Sequence, residues 1–475
     1  MLDKLISERE KNKLDLFRYF EKYFGTSIKI VEIENIFGFT NYLIKQLVDE
    51  LNEDTKKSPM ASGFDIKIHK DEITFFQESY ISSNILEELY LSESEEFKLL
   101  KSIFFGEFKT KKAYSDEHFL SRTTVYRLFD RVQQQLEYFG FELDSKGNLS
   151  GNEVNIRFFF SSLFYKVYKN DLSIYTFSSL TNLFQLETRI SEVLDGFKTN
   201  NLFQHYILVS NIRFKKAENS LTNSDQFPIK ITNKKLKKSV SDWLSRLGVK
   251  EKNKDFEMIA LITSIRNIDY SNAGILRNFS LCDIFVDNFL EELNLITKEG
   301  VDVDEFSRRR LYDVFFNYWY INPFSDIVTR DIDLTYFKEN FPEYFYACLN
   351  FTKKRIDNNS NKFNKVSLFF DLMLTVISIL PYRSLGEEIN VFINFTHGTN
   401  YNAFIKENIE MFSFYNFNFQ DSLNPKTDLI LSDYMINTET IDKTIVWLTP
   451  PRAKDWERFG EKIIEIISNK FRSKK

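Results

Sequence analysis

The sequence predicts a mainly helical protein that begins with two winged helix-turn-helix modules and ends in a small α/β unit. Three observations carry the prediction. Helix breakers are sparse, with 14 Gly and 8 Pro in 475 residues. Apolar residues make up 43% of the chain and recur at helical spacing through most of its length. Only beyond residue 386 do short strand-like runs alternate with helices, the pattern of a small, mainly parallel sheet.

In chain order, Leu14, Phe17, Phe20 and Phe24 repeat at helical spacing, followed by a short helix over Ile30 to Phe37, then Gly38, then a second helix over Thr40 to Leu51. Ser58-Pro59 and Ser62-Gly63 mark a turn. Phe64 to Ile68 and Ile73 to Phe76 flank His69-Lys70-Asp71-Glu72 as a β-hairpin. The order helix, turn, helix, hairpin then recurs. A helix over Ser94 to Phe105 precedes a short one over Lys111 to Phe119, the turn Leu120-Ser121, and a long helix to Phe139, stopped at Gly140. Phe141 to Leu143 and Asn148 to Gly151 suggest a second hairpin. From Asn155 to Ser360 helices follow one another, with Glu218 to Lys238 read as a loop and Lys353 to Lys365 as a separator between two helices. Near the end, strands are expected at Ile389 to Asn394, Phe412 to Phe419, Leu429 to Ser432 and Thr444 to Leu448. Helices are expected at Tyr401 to Met411, capped by Thr399 or Asn400, and at Ala453 to Lys470.

The length implies roughly three to five domains of about 100–200 residues each. A net charge of −5 excludes a wholly basic nucleic-acid coat but leaves room for one basic face. Cys282 and Cys348 are isolated among apolar neighbours and lack zinc-ligand spacing, so buried free thiols are expected. The N-terminus has no signal-peptide apolar core, and the run Val366 to Leu380 is short and carries Asp371, which suits a buried helix better than a membrane span. A cytoplasmic protein is the expectation.

Chemistry concentrates between Lys111 and Gly140. At about 100° per residue, Val125, Leu128, Phe129, Val132, Leu136 and Phe139 share one face of the long helix, while Thr123, Arg127, Asp130 and Gln134 share the opposite one, with Arg131 beside them. Ser121 can cap the helix, which leaves Arg122 in its first turn. A recognition helix enters the major groove with its N-terminal part. Arg can pair bidentately with guanine, Gln can read adenine, and Ser or Thr can bind phosphate. Lys101 to Gln135 holds seven Lys or Arg against four Asp or Glu, opposite in sign to the whole chain. On the first module the corresponding helix would expose Tyr42, Lys45, Gln46 and Asp49, of which one is basic. That module either assists binding or serves as a scaffold.

The run Leu120-Ser121-Arg122-Thr123-Thr124-Val125-Tyr126-Arg127-Leu128, continued by Leu136 to Phe141 and by Leu149-Ser150-Gly151-Asn152-Glu153-Val154-Asn155-Ile156-Arg157-Phe158-Phe159, resembles the Mga helix-turn-helix domain of the Mga/AtxA virulence regulators of Gram-positive bacteria. DNA contacts are expected from Ser121, Arg122, Thr123, Thr124, Tyr126, Arg127, Arg131 and Gln134, and from Tyr42, Lys45 and Gln46 on the first module. The resemblance implies helix-turn-helix modules over 1–80 and 81–165, helical phosphotransferase-regulation domains over 166–288 and 289–386, and an EIIB-like α/β domain over 387–475. The implied function is that of a transcription regulator, usually an activator, working as a homodimer through its C-terminal domain on promoter DNA. Phosphocarrier proteins of the sugar phosphotransferase system could tune it.

Four histidines are present, His69, His118, His205 and His397. His205 is the one phosphorylation candidate of the first regulation domain, and the second has no histidine. The EIIB-like loop, Asn394 to Asn400, has His397 but lacks the phosphorylated cysteine of a true EIIB, which suggests a sensing or oligomerisation element. The competing class is a phosphotransferase relay without a direct DNA role; it needs an activated histidine or cysteine in the right loop. No catalytic triad, P-loop or dinucleotide fingerprint appears, so neither an enzyme nor a cofactor is expected. Arg308-Arg309-Arg310 reads as a surface charge patch.

Overall fold

A computed structural model describes residues 5–23, 25–54, 63–78, 82–194, 197–214, 229–263, 274–277, 280–297, 303–318, 334–356, 365–380, 386–436, 438–448 and 450–474. Phe24, the turn at Ser58-Pro59, and the greater part of the stretch Glu218 to Lys238 lie outside them. The described residues are mainly helical, and the chain forms two compact units, Met1–Arg277 and Asn278–Lys475.

The first unit opens with α1 (Glu8–Lys22). Its start is set by a capping box, in which the Ser7 hydroxyl accepts from the Glu10 N–H and the Glu10 carboxylate accepts from the Ser7 N–H. Then follow β1 (Ser27–Lys29), α2 (Ile30–Phe37), α3 (Asn41–Asp54), β2 (Phe64–His69) and β3 (Glu72–Gln77). Gly38 turns the chain from α2 toward α3 at φ 69°, a backbone state glycine adopts without a Cβ penalty. The strands form one antiparallel sheet in the order β1-β3-β2. The hairpin β2–β3 follows the sequence expectation; β1 does not, because three residues are too few to show an alternation. Phe17 and Phe20 of α1 meet Phe75 of β3 edge-on and stacked respectively, so the apolar faces of helix and sheet bury each other.

The order then repeats as α4 (Ser83–Glu93), α5 (Glu95–Phe105), α6 (Lys111–Glu117), α7 (Arg122–Tyr138), β4 (Phe141–Leu143), β5 (Leu149–Gly151) and α8 (Glu153–Tyr168). Side chains of Ser94, Thr110, Ser121 and Asn152 cap α5, α6, α7 and α8. The expected domain boundary at 165/166 falls inside α8. That helix packs on both α4 and α10 (Asn201–Phe214), so it belongs as much to the following bundle as to the module before it.

The bundle continues with α9 (Phe177–Ser191), β6 (Ile229–Ile231), α11 (Lys234–Arg246), α12 (Glu251–Thr263) and β7 (Ile275–Arg277). Two features correct the sequence reading. Lys234 to Lys238 is not loop but the start of α11: Asn233 caps it, and Leu236, Val240, Trp243 and Leu244 are buried along one side. The lysines masked an apolar stripe of helical period. The antiparallel pair β6–β7, joining strands far apart in sequence, also had no local signal.

The second unit starts with α13 (Ser280–Thr297), α14 (Glu305–Phe316), α15 (Thr335–Asn340), α16 (Pro342–Ile356) and α17 (Lys365–Ile379). α13 packs on α14 and α16, and α17 packs on α14 and α16. The expected boundary at 288/289 falls within α13, which lies wholly in the second unit. Cys282 and Cys348 are buried free thiols, and burial pushes the Cys348 thiol far up. Among the described residues no helix is long and apolar enough to cross a membrane.

The unit ends in β8 (Glu388–Asn394), α18 (Thr399–Glu410), β9 (Asn416–Gln420), β10 (Leu429–Ser432), β11 (Thr444–Val446) and α19 (Ala453–Lys474). All neighbours in the sheet, ordered β11-β10-β8-β9, are parallel. Central β10 is buried throughout, as a continuous apolar run between two partners requires. The expected strand from Phe412 begins only at Asn416, because the Phe412 N–H donates to the Ile409 carbonyl in the turn that closes α18. Gly398, not Thr399 or Asn400, occupies the N-cap of α18, with no side-chain cap.

Candidate nucleic-acid interface

The turn between α6 and α7 is held by two reciprocal bonds. The Leu120 N–H donates to the Ser115 carbonyl (3.1 Å), and the Ser115 hydroxyl donates to the Leu120 carbonyl (2.7 Å). His118 stacks on Tyr114 with ring centroids 4.0 Å apart. Phe119 takes φ 55° and is 96% exposed, a strained state for a bulky side chain that the sequence reading did not foresee. α7 then starts at once. Its cap, Ser121, accepts from the Thr124 N–H (3.1 Å), and the two hydroxyls lie 2.7 Å apart.

Burial along α7 follows the helical projection, with Val125, Leu128, Phe129, Val132 and Leu136 inside. Ser121, Thr123, Thr124, Arg127, Asp130, Arg131 and Gln134 line one open concavity on the outer side. Arg122 and Tyr126 are exposed on the same helix but do not line it. The charges differ in how they are held. Arg131 pairs with Glu96 of α5 at 2.9 Å, whereas Arg122 and Arg127 make no ion pair among the described residues. Lys111 of α6, which sequence reasoning passed over, reaches Asp130 at 3.7 Å and lies 4.1 Å from the Phe129 ring centre and 4.7 Å from that of Tyr126. It stands near the one acid lining the concavity and joins α6 to α7. Its distance from Asp130 in sequence hid the pairing.

The hairpin β4–β5 is tied to α7 by Gln133, whose amide donates to the Leu143 carbonyl (3.1 Å). Its tip closes on Asp144, which accepts from the Asn148 side chain and from the N–H groups of Asn148 and Lys146, each at 2.8 Å; these bonds hold its carboxyl below the usual range. Gly147 has φ 83°, and a Cβ there would sit 2.6 Å from the Phe108 ring.

The first module presents a different surface. Tyr42 and Lys45 are exposed on α3, but Gln46 is engaged: it donates to the Tyr42 hydroxyl (2.8 Å) and accepts from Arg9 (3.3 Å), which also holds Glu50 at 2.7 Å. The three candidates thus lie together on one helix, with Gln46 satisfied from within the chain. Exposed Glu32 and Asp49 stand nearby in sequence on α2 and α3.

His205 lies on α10, fully buried. Its Nδ1 bonds the Tyr175 hydroxyl (2.8 Å) and its Nε2 bonds the Lys169 carbonyl (2.9 Å). Burial pushes its pKa down to about 4. Neither ring nitrogen is open to a phosphodonor in this conformation. His397, by contrast, is exposed in the loop between β8 and α18. Beside it, Asp433 accepts from the backbone N–H of Thr396 (3.1 Å) and from its hydroxyl, so a carboxylate of the chain already occupies a donor of that loop. Arg308 and Arg309 of the basic triplet pair with Asp287 and Glu305. Among the described residues no cluster suited to a metal ion occurs.

A short capped helix, a tight turn, a longer capped helix with an exposed polar N-terminal half, and a hairpin behind it make up a helix-turn-helix domain of the DNA-binding type. Residues 79–164, which span α4 to most of α8, match the family model of the Mga helix-turn-helix domain, the domain of a family of DNA-binding regulators. No curated protein matches the chain.

Proposed function

We propose that this protein is a transcription regulator of the Mga/AtxA type, acting as an activator on promoter DNA. The N-terminal half of α7 is laid into the major groove, with the Asp144–Asn148 tip as a wing. One observation carries the reading: Arg127 stands without an ion-pair partner among the described residues, in a concavity it shares with Thr123 and Gln134, on the part of the helix that faces solvent. Arg127 and Gln134 are the base readers, Ser121, Arg122 and Thr124 the phosphate contacts, and Arg131, held by Glu96, a positioning group. Tyr126 flanks the site.

The helical blocks that follow serve as regulation domains, and the α/β end as an EIIB-like domain through which two copies associate. Control by phosphotransferase phosphocarriers through His205 requires that α10 first part from Lys169 and Tyr175, since both ring nitrogens are bonded there. The buried aliphatic face of α7 is untouched by Arg127→Ala, so the variant folds. Its affinity for promoter duplex, measured by fluorescence anisotropy, is expected to fall by about ten- to a hundredfold, the value of one bidentate base contact. Unchanged affinity in both Arg127→Ala and Arg131→Ala would overturn this assignment of α7.

A further inference from the structure

Capped helices of this chain differ in the charge of their first turns: α6, α7 and α9 carry no acid there, and α11 carries none either but has four lysines within its first five residues. Acidic residues fill the first turns of α1 (Glu8, Glu10), α5 (Glu95, Glu96), α8 (Glu153) and α14 (Glu305), where the positive end of the helix dipole favours them. α11 places Lys234, Lys235 and Lys237 there, with Lys238 just beyond, and no acid. Lys234 lies three and four residues from Lys237 and Lys238, and Lys235 three from Lys238, so these like charges are neighbours on the helix surface and repel. All four are exposed. Lys237 pairs with Asp255 at 3.1 Å; Lys234, Lys235 and Lys238 make no ion pair among the described residues. Both dipole and repulsion work against folding here, and the exposed Lys237–Asp255 pair offsets little of that cost.

The solvent side of α11 continues with Ser241, Asp242, Ser245 and Arg246, and no apolar side chain lies between the charges. The apolar residues Leu236, Val240, Trp243 and Leu244 are all turned inward, and Trp243 is anchored by its Nε1–H on the Asn182 carbonyl (2.8 Å). Residues 230–255 hold nine Lys or Arg against three Asp or Glu, in a chain whose net charge is −5. Protein interfaces are depleted in Lys and built around aromatic anchors, which this surface lacks. Lysine and serine without an anchor suit a regular array of phosphates, read without regard to sequence.

We infer that the exposed face of α11, centred on Lys234, Lys235 and Lys238, is a second DNA contact that grips the phosphate backbone of the duplex. The inference rests on the reading of the protein as a DNA-binding regulator. It adds affinity and salt dependence, not sequence choice, which stays with α7.

The test uses the full chain and a labelled mixed-sequence duplex of roughly 40 base pairs, titrated between about 50 and 200 mM salt. Wild type is compared with the triple variant Lys234→Gln/Lys235→Gln/Lys238→Gln and, separately, with Arg127→Ala. Each lost phosphate contact lowers the slope of log affinity against log salt by about 0.9, so the triple variant is expected to bind with a slope shallower by about two to three and at least tenfold more weakly at the low-salt end. The corresponding Lys→Arg triple keeps the wild-type slope. The melting temperature of the Gln triple stays level or rises, because repulsion is relieved. If the triple does not fold, the single variant Lys238→Gln gives a slope change of about one instead. An unchanged slope in the variants, with Arg127→Ala still weakened, overturns the α11 contact and leaves the α7 reading intact. A shallower slope, with both Arg127→Ala and Arg131→Ala unaffected on promoter duplex, supports α11 and overturns α7. A wild-type chain that binds no duplex overturns both.

Discussion

The two N-terminal modules follow one element order, yet their second helices present opposite surfaces. In the first, α3 meets solvent with Tyr42, Lys45 and Asp49, and its Gln46 is spoken for by Arg9 and Tyr42. In the second, α7 offers Thr123, Arg127 and Gln134 around one concavity, with Asp130 partly countered by Lys111. The buried faces are equally apolar, with Ile44, Leu47, Val48 and Leu51 on α3, and Val125, Leu128, Phe129, Val132 and Leu136 on α7. Packing therefore sets the helix in place in both cases, and the two differ in the solvent face, on which the proposed reading of DNA by α7 rests.

The modules also differ in how they are fastened. The first is closed by the buried pair Lys13–Asp54, with the Tyr90 hydroxyl of α4 donating to the same carboxylate. The second is welded to the bundle behind it: Arg157 of α8 holds Glu153 at 2.8 Å and Glu257 of α12 at 2.5 Å, and Arg213 of α10 closes on Glu153 at 2.6 Å.

The largest effect should come from cutting that weld. Glu257→Ala leaves the Arg157 guanidinium, 1% exposed, with Glu153 but without its two bonds to Glu257, and is expected to destabilise the first unit by about 3 kcal/mol, read as a fall in denaturation midpoint. A loss below about 1 kcal/mol would mean the two modules are fastened alike.

Acid comes next. His205 is neutral when folded, with its pKa pushed down to about 4, while the unfolded chain binds a proton near the ordinary value of about 6.5. Stability from this group is therefore full above about pH 6.5 and is lost as pH falls toward about 4, by up to roughly 3 kcal/mol. Hydrogen exchange should show protection failing in α8 and α10 over this window before it fails in α2 and α3. Uniform loss, or the same window in His205→Gln, would refute the coupling of His205 to the second module.

The smallest effect sharpens the contrast between α3 and α7. Lys45→Ala is expected to weaken duplex binding less than about threefold, the scale of one exposed charge, against the far larger loss in Arg127→Ala. Equal losses would make both modules readers.

Much of the site was legible in advance because it is local. The cap Ser121, the stop at Gly140 and the outward set Thr123, Arg127, Asp130 and Gln134 depend on residues within a few turns of one helix. The α11 lysines show the limit of that approach, since composition suggested a loop where the period of Leu236, Val240 and Trp243 specified a helix.

The sequence by itself determined the helical class, the parallel sheet at the C-terminal end, the two helix–turn–helix–hairpin runs near the start, though not β1, and the outer face of α7, all of which follow from periodicity and capping between near neighbours. Tertiary structure alone decided which of those outer side chains are free. Arg131 is drawn to Glu96, Gln46 to Arg9, and His205 is sealed between Tyr175 and Lys169. Those partners lie about thirty or more positions away along the chain, and the folded core, not local pattern, brings them within bonding distance.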